Sequence, residues 1–174
     1  MKKLLLPLVL LISTCSQPAP PVPEKLAVTQ EIGEINIIPK PQLVERLAGQ
    51  FELTGKTIIV AADEHAANAA SAFNQMLAEN YGLTLEIRGA AEAEGAIVFS
   101  TAQGTGENEN YILRIEPGFI LVTGSPRGMF YGAQSLFQLL PAVKTDSVII
   151  PAGQITDSPR FRYRGAHLEN GESR

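Results

Sequence analysis

The stretch Tyr111–Pro141, YILRIEPGFILVTGSPRGMFYGAQSLFQLLP, decides the fold. "YILRI" and "FILVTG" alternate apolar and polar residues and are joined through Pro117-Gly118, which predicts a β-hairpin. Ser125 is a helix cap, and Pro126 suits the first turn, where a missing N–H costs nothing. Met129, Phe130, Ala133, Leu136, Phe137 and Leu140 fall on one helical face, and Pro141 ends the run. A hairpin that feeds directly into an amphipathic helix is a unit of sheet with helix laid on it.

Reading outward toward the N-terminus, "INIIPKPQLVERL" from Ile35 is apolar and extended, broken by Pro39 and Pro41. "FELTGKTIIVAA" predicts a short strand, a turn at Gly55 and a second strand over Thr57–Ala61. Asp63 can cap the helix that follows. Ala66, Ala69, Ala70, Phe73, Met76 and Leu77 recur at helical spacing, and Gly82 is a natural stop. "TLEIRG" and "AIVFS" predict two more strands before a polar loop from Ser100 to Glu109. Beyond the helix, "SVIIPAGQITD" predicts a further strand pair. Strands outnumber helices and one hairpin is explicit. The expectation is therefore an α+β fold, a mostly antiparallel sheet with both helices on one face, over residues 35–158.

The chain has 174 residues, 45% of them hydrophobic and 18% charged, with a net charge of −4. That is long enough to bury a real core. A mildly acidic chain with no basic block gives no support to nucleic-acid binding. With one cysteine, Cys15, an internal disulfide and a cysteine-based metal cluster are both excluded. Cys15 closes a segment built as a secretory signal: Lys2 and Lys3, then an apolar run from Leu4 to Ile12 too short to span a bilayer as a helix. Residues 1–15 resemble a bacterial lipoprotein signal, in which the cysteine is acylated. Thr14 departs from the small residue usual there. The expectation is a lipid anchor at Cys15 and export to a bacterial cell envelope, periplasmic or surface-facing, with ordinary signal cleavage nearby as the alternative. Pro18, Pro20, Pro21 and Pro23 make residues 16–34 a semi-rigid spacer.

Candidate chemistry within residues 35–158 is sparse. Asp63-Glu64-His65 sets two carboxylates beside an imidazole, which suits acid–base work. The same triplet sits where a strand turns into a helix, and there Asp63 is a cap and Glu64 complements the helix N-terminus. It lacks the two-histidine helical spacing of a zinc protease. "GSPRGMFYG" matches neither a P-loop nor a dinucleotide fingerprint. Its glycines are expected to end a strand at Gly124 and to let the helix approach the sheet at Gly128 and Gly132. Tyr131 alone decides nothing. No pair of carboxylates is set up for glycoside hydrolysis. No metal or cofactor is expected.

Three stretches in order carry a resemblance. "IPKPQLVERLAGQFEL", the hairpin–helix segment, and "PRFRYRGAHLE" from Pro159 together resemble the N-terminal part of family 20 glycoside hydrolases, the exo-acting β-N-acetylhexosaminidases. The resemblance runs from about Ile35 to Glu169. It implies a small α+β domain ahead of a (β/α)8 barrel, with residues 159–174 as the start of that barrel. The family's catalytic pair is an adjacent Asp-Glu deep in the barrel. The Glu protonates the leaving oxygen, and the Asp orients the substrate's 2-acetamido group, whose carbonyl oxygen attacks the anomeric carbon. No position of this chain matches that pair, Asp63-Glu64 included. Arg164 matches the arginine that binds hydroxyls of the terminal sugar, a role suited to a planar fork of donors. Glu169 and Glu172 stand where the family has Asp and Arg, and from near Glu169 a frameshift or truncation is expected, with a genuine short paralogue as the alternative.

Two readings follow. One is the front part of an exported, lipid-anchored hexosaminidase acting on glycans that end in N-acetylglucosamine or N-acetylgalactosamine, inactive as this chain alone. The other is a non-catalytic envelope lipoprotein that binds or scaffolds.

Overall fold

A computed structural model describes residues 35–89, 94–102, 109–142, 147–161 and 165. In chain order the elements are β1 (Leu43–Thr54), β2 (Ile58–Ala61), α1 (Glu64–Tyr81), β3 (Glu86–Arg88), β4 (Ala96–Thr101), β5 (Tyr111–Glu116), β6 (Phe119–Gly124), α2 (Pro126–Gln138) and β7 (Ser147–Asp157). The expected hairpin is β5–β6, paired from Tyr111↔Gly124 to Glu116↔Phe119. Its turn uses Gly118 at φ 98°, a conformation side chains other than hydrogen rarely take.

All seven strands form one sheet in the order β1-β7-β5-β6-β4-β2-β3. This corrects the expectation of a mostly antiparallel sheet. The pairs β1–β7, β7–β5 and β5–β6 are antiparallel, but β6–β4, β4–β2 and β2–β3 are parallel. For β2 and β3 the physical cause is α1. It leaves the end of β2 and carries the chain back, so β3 starts at the same edge as β2 and must run beside it. The class stands as α+β with a mixed sheet.

The expected strand pair in "SVIIPAGQITD" is a single strand, β7, of 11 residues. Pro151 sits inside it, short of the β5 ladder. It lies opposite Gln50 of β1, while the β5 ladder with β7 starts only at Gly153. β1 is longer than the short strand expected, 12 residues. It bends between Arg46 and Gln50, where the register shifts and Gly49 takes φ 100° against the Pro117 ring.

Both helices pack against each other and on one face of the sheet. Tyr111, Leu113 and Ile115 of β5 are buried beneath them, while Ile112 and Arg114 point to the open face. Phe73 and Leu77 of α1, Phe99 of β4 and Met129, Ala133 and Leu136 of α2 close the core. Each large side chain so buried contributes roughly 1.5–3 kcal/mol. Phe130, expected on the buried stripe, is 45% exposed. The contact stripe of α2 is narrower than its apolar stripe because Gly128 and Gly132 bring its axis close to the sheet.

Candidate functional site

Asp63 is the most connected of the flagged residues. It is the N-cap of α1, and its Oδ1 accepts from Ala66 N–H at 2.9 Å. The same oxygen accepts from the Thr101 hydroxyl at 2.8 Å, and Oδ2 accepts from Thr101 N–H at 3.1 Å. Partial desolvation pushes its pKa up. Hydrogen bonds from Ala66, from the Thr101 hydroxyl and N–H and from His65 N–H outweigh that and hold the carboxyl below its ordinary 3.8. A carboxylate saturated in this way is a poor proton carrier. Glu64 and His65 are exposed on the first turn of α1. The triplet is a structural knot between α1 and β4. Thr101 is the partner that local reading misses, since it lies 38 residues away.

The glycines of "GSPRGMFYG" do what packing requires. A Cβ on Gly128 would run into the backbone carbonyl of Asn110. One on Gly132 would meet Val122 Cγ1 at 2.7 Å and the Tyr111 ring at 3.1 Å. Ser125 Oγ accepts from Gly128 N–H at 2.9 Å as the cap of α2. Beside it, Tyr111 and Ser135 hydroxyls share a buried bond of 2.6 Å. Burial raises the Tyr111 pKa, with a further push from the Asp157 charge, against the opposing Ser135 bond. These groups tie α2 to the hairpin. Asn110 Oδ1 is buried there with no partner among the described residues.

A cavity of about 260 Å³ opens at the other end of the core, lined by Leu53, Leu77, Tyr81, Leu83, Leu140 and Val148. Its one hydroxyl, on Tyr81, donates to Pro141 O at 2.5 Å. That leaves apolar walls and nothing that can move a proton. Among the described residues no group of acidic, histidine or cysteine side chains is arranged to hold a metal. No helix of the described residues is long and apolar enough to cross a membrane. Cys15 and Arg164, the expected acylation and sugar-binding residues, lie outside the described residues. So does most of the expected barrel strand.

The fold is a mixed sheet with two helices on one face, and its sequence identifies the family. Residues 34–158 match glycosyl hydrolase family 20, domain 2. The chain belongs to glycosyl hydrolase family 20. It is 32% identical over 168 residues to a beta-hexosaminidase of Porphyromonas gingivalis, covering 91% of this chain and 21% of that protein. It is 31% identical over 136 residues to a beta-hexosaminidase of Vibrio furnissii, covering 78% of this chain and again 21% of the relative. Its fold superposes on the family 20 β-N-acetylhexosaminidase of Streptomyces coelicolor A3(2) with a TM-score of 0.67 and 28% identity, over 77% of this chain and 28% of that one. The chain thus spans about a fifth of the length of these curated relatives.

Proposed function

We propose that this polypeptide is the front part of an exo-β-N-acetylhexosaminidase that releases terminal N-acetylglucosamine or N-acetylgalactosamine. The observation that carries the reading is the family 20 match over residues 34–158, joined to two beta-hexosaminidase relatives above 30% identity. On this reading residues 35–158 are the accessory domain, and residues 159–174 lead into the catalytic barrel. The chemistry belongs to an Asp-Glu pair in that barrel. The Glu protonates the glycosidic oxygen as the bond to the anomeric carbon breaks. The substrate's own acetamido oxygen forms the new bond to that carbon, and water later opens the resulting ring with retention. Arg164 binds hydroxyls of the terminal sugar. The signal segment and Cys15 support export and lipid anchoring to a bacterial envelope, with residues 16–34 as spacer.

The test is hydrolysis of an aryl N-acetyl-β-glucosaminide. The 174-residue chain is expected to show none, and the gene read onward into a barrel with an Asp-Glu pair is expected to be active. Turnover by the 174-residue chain would place the chemistry in the wrong part of the protein. An extended product that binds glycan without hydrolysing it would favour the binding-module reading.

A further inference from the structure

The segment leading into the domain and the segment leaving it are tied to each other. Ile37 is buried in the core, and Ile35 packs on Gly153 of β7 so closely that a Cβ there would collide with it. These contacts hold residues 35–42 as a strap against the domain. Ile38 N–H donates to Gln138 Oε1 at 2.9 Å, and Gln138 Nε2 donates back to Ile38 O at 3.1 Å. Gln138 is the last residue of α2. Further along the strap, Gln42 N–H donates to Asp157 Oδ1 at 3.1 Å. Gln42 Nε2 donates to Ser158 Oγ at 2.7 Å and to Ser158 O at 3.1 Å. Arg160 Nη2 donates to Lys40 O at 3.0 Å.

Both glutamines are exposed, so neither fills the core. An amide is nevertheless what each place requires. Gln138 donates and accepts with the same side chain, which a carboxylate cannot do. Gln42 must donate beside the Asp157 carboxyl, where a second carboxylate would repel. We infer that Gln42 and Gln138 are positioning residues of a joint. Gln138 pins the strap to α2, and Gln42 pins Ser158 to the strap. The direction in which the chain leaves β7 is then set by the domain. This inference rests on the proposed function for its significance: there the segment after Pro159 carries Arg164 into the barrel, and the joint is the base from which that segment departs. The bonds themselves do not depend on that reading.

Limited trypsin digestion of the whole native chain tests the joint, with cleavage sites read by mass spectrometry. Slow cleavage under native conditions follows the population of locally opened chain. Gln42→Ala and Gln42→Glu are each expected to speed cleavage after Arg160 by roughly threefold to tenfold for each bond lost. Gln138→Glu keeps the acceptor for Ile38 N–H and loses the donor, so it should fall between wild type and Gln138→Ala. Cleavage after Lys56 and Arg127 and the thermal midpoint should stay as in wild type. Unchanged cleavage after Arg160 in both Gln42 variants would overturn the joint. So would acceleration at every site together with a fall in midpoint, which would make the strap ordinary core packing. No step of this assay reads glycosidase activity, so the joint and the enzyme reading stand or fall separately.

Discussion

The two sides of β6 are built on different plans. On the antiparallel side, β5 alternates strictly, with Tyr111, Leu113 and Ile115 buried and Ile112 and Arg114 exposed. On the parallel side, β2 is only 4 residues long, and Ile59, Val60 and Ala61 are all buried in succession. Alternation is the mark of a strand with one wet face, and a continuous apolar run is the mark of a strand enclosed by its neighbours. The antiparallel side gains its length from β1 and β7, whose ladder runs from Leu43↔Thr156 to Thr54↔Ser147. The parallel side gains its stability from α1, which covers short strands and is knotted to β4 through Asp63. Its outer edge, β3, is guarded by Glu86 and Arg88, an exposed ion pair at 2.7 Å. Such a pair adds little stability, but charge on an edge strand discourages pairing with other chains.

If this division is right, the largest effect should come from removing Phe99, which meets Phe73 of α1 with ring centroids 6.2 Å apart. Phe99→Ala is expected to cost about 3–5 kcal/mol in urea unfolding, since the ring is fully buried and its removal leaves a cavity. A loss under about 1 kcal/mol would mean that α1 is not what holds the parallel side.

The antiparallel side is tested by Gly128→Ala. The new methyl meets the Asn110 carbonyl, a backbone atom that cannot swing away. The expected cost is about 2–3 kcal/mol. Hydrogen exchange should rise in β5 and α2 before it rises in β2 and α1. Equal exchange across the sheet would erase the distinction between the two sides.

The smallest effect, and the sharpest, concerns Asp63. Asp63→Ala is expected to lose about 1 kcal/mol near neutral pH, the ordinary worth of an N-cap. The pH dependence has a definite sign. The folded pKa lies below the ordinary 3.8, so the carboxylate's contribution is fully present above that value. It is lost as pH falls through the folded value. Asp63→Asn keeps an acceptor for the cap but carries no charge. Its stability should therefore vary less than that of wild type below pH 3.8. Parallel acid titration curves for the two proteins would show that Asp63 does not contribute in this way.

What could be read from the residues was whatever depends on near neighbours. The β5–β6 hairpin follows from alternation and a two-residue turn. The bounds of α1 follow from Asp63 and Gly82, and the start of α2 from Ser125 and Pro126, because caps satisfy backbone groups only a few residues away. The family was legible because three stretches occur in order, and the match over residues 34–158 bears that out.

Tertiary structure alone decided the direction of β2, β3 and β4, the continuity of β7 through Pro151 and the exposure of Phe130. An apolar run such as "TIIVAA" states that a strand is buried but not which way its neighbours run. For β2 and β3 that depends on where α1 returns the chain. Likewise Pro151 looks like a break until the structure shows that the pairing of β7 with β5 begins two residues later, at Gly153. The bonds of Asp63 to Thr101 and of Gln42 to Ser158 join residues far apart in the chain. Nothing in the local spacing of side chains marks such partners, because they meet only after the sheet has assembled.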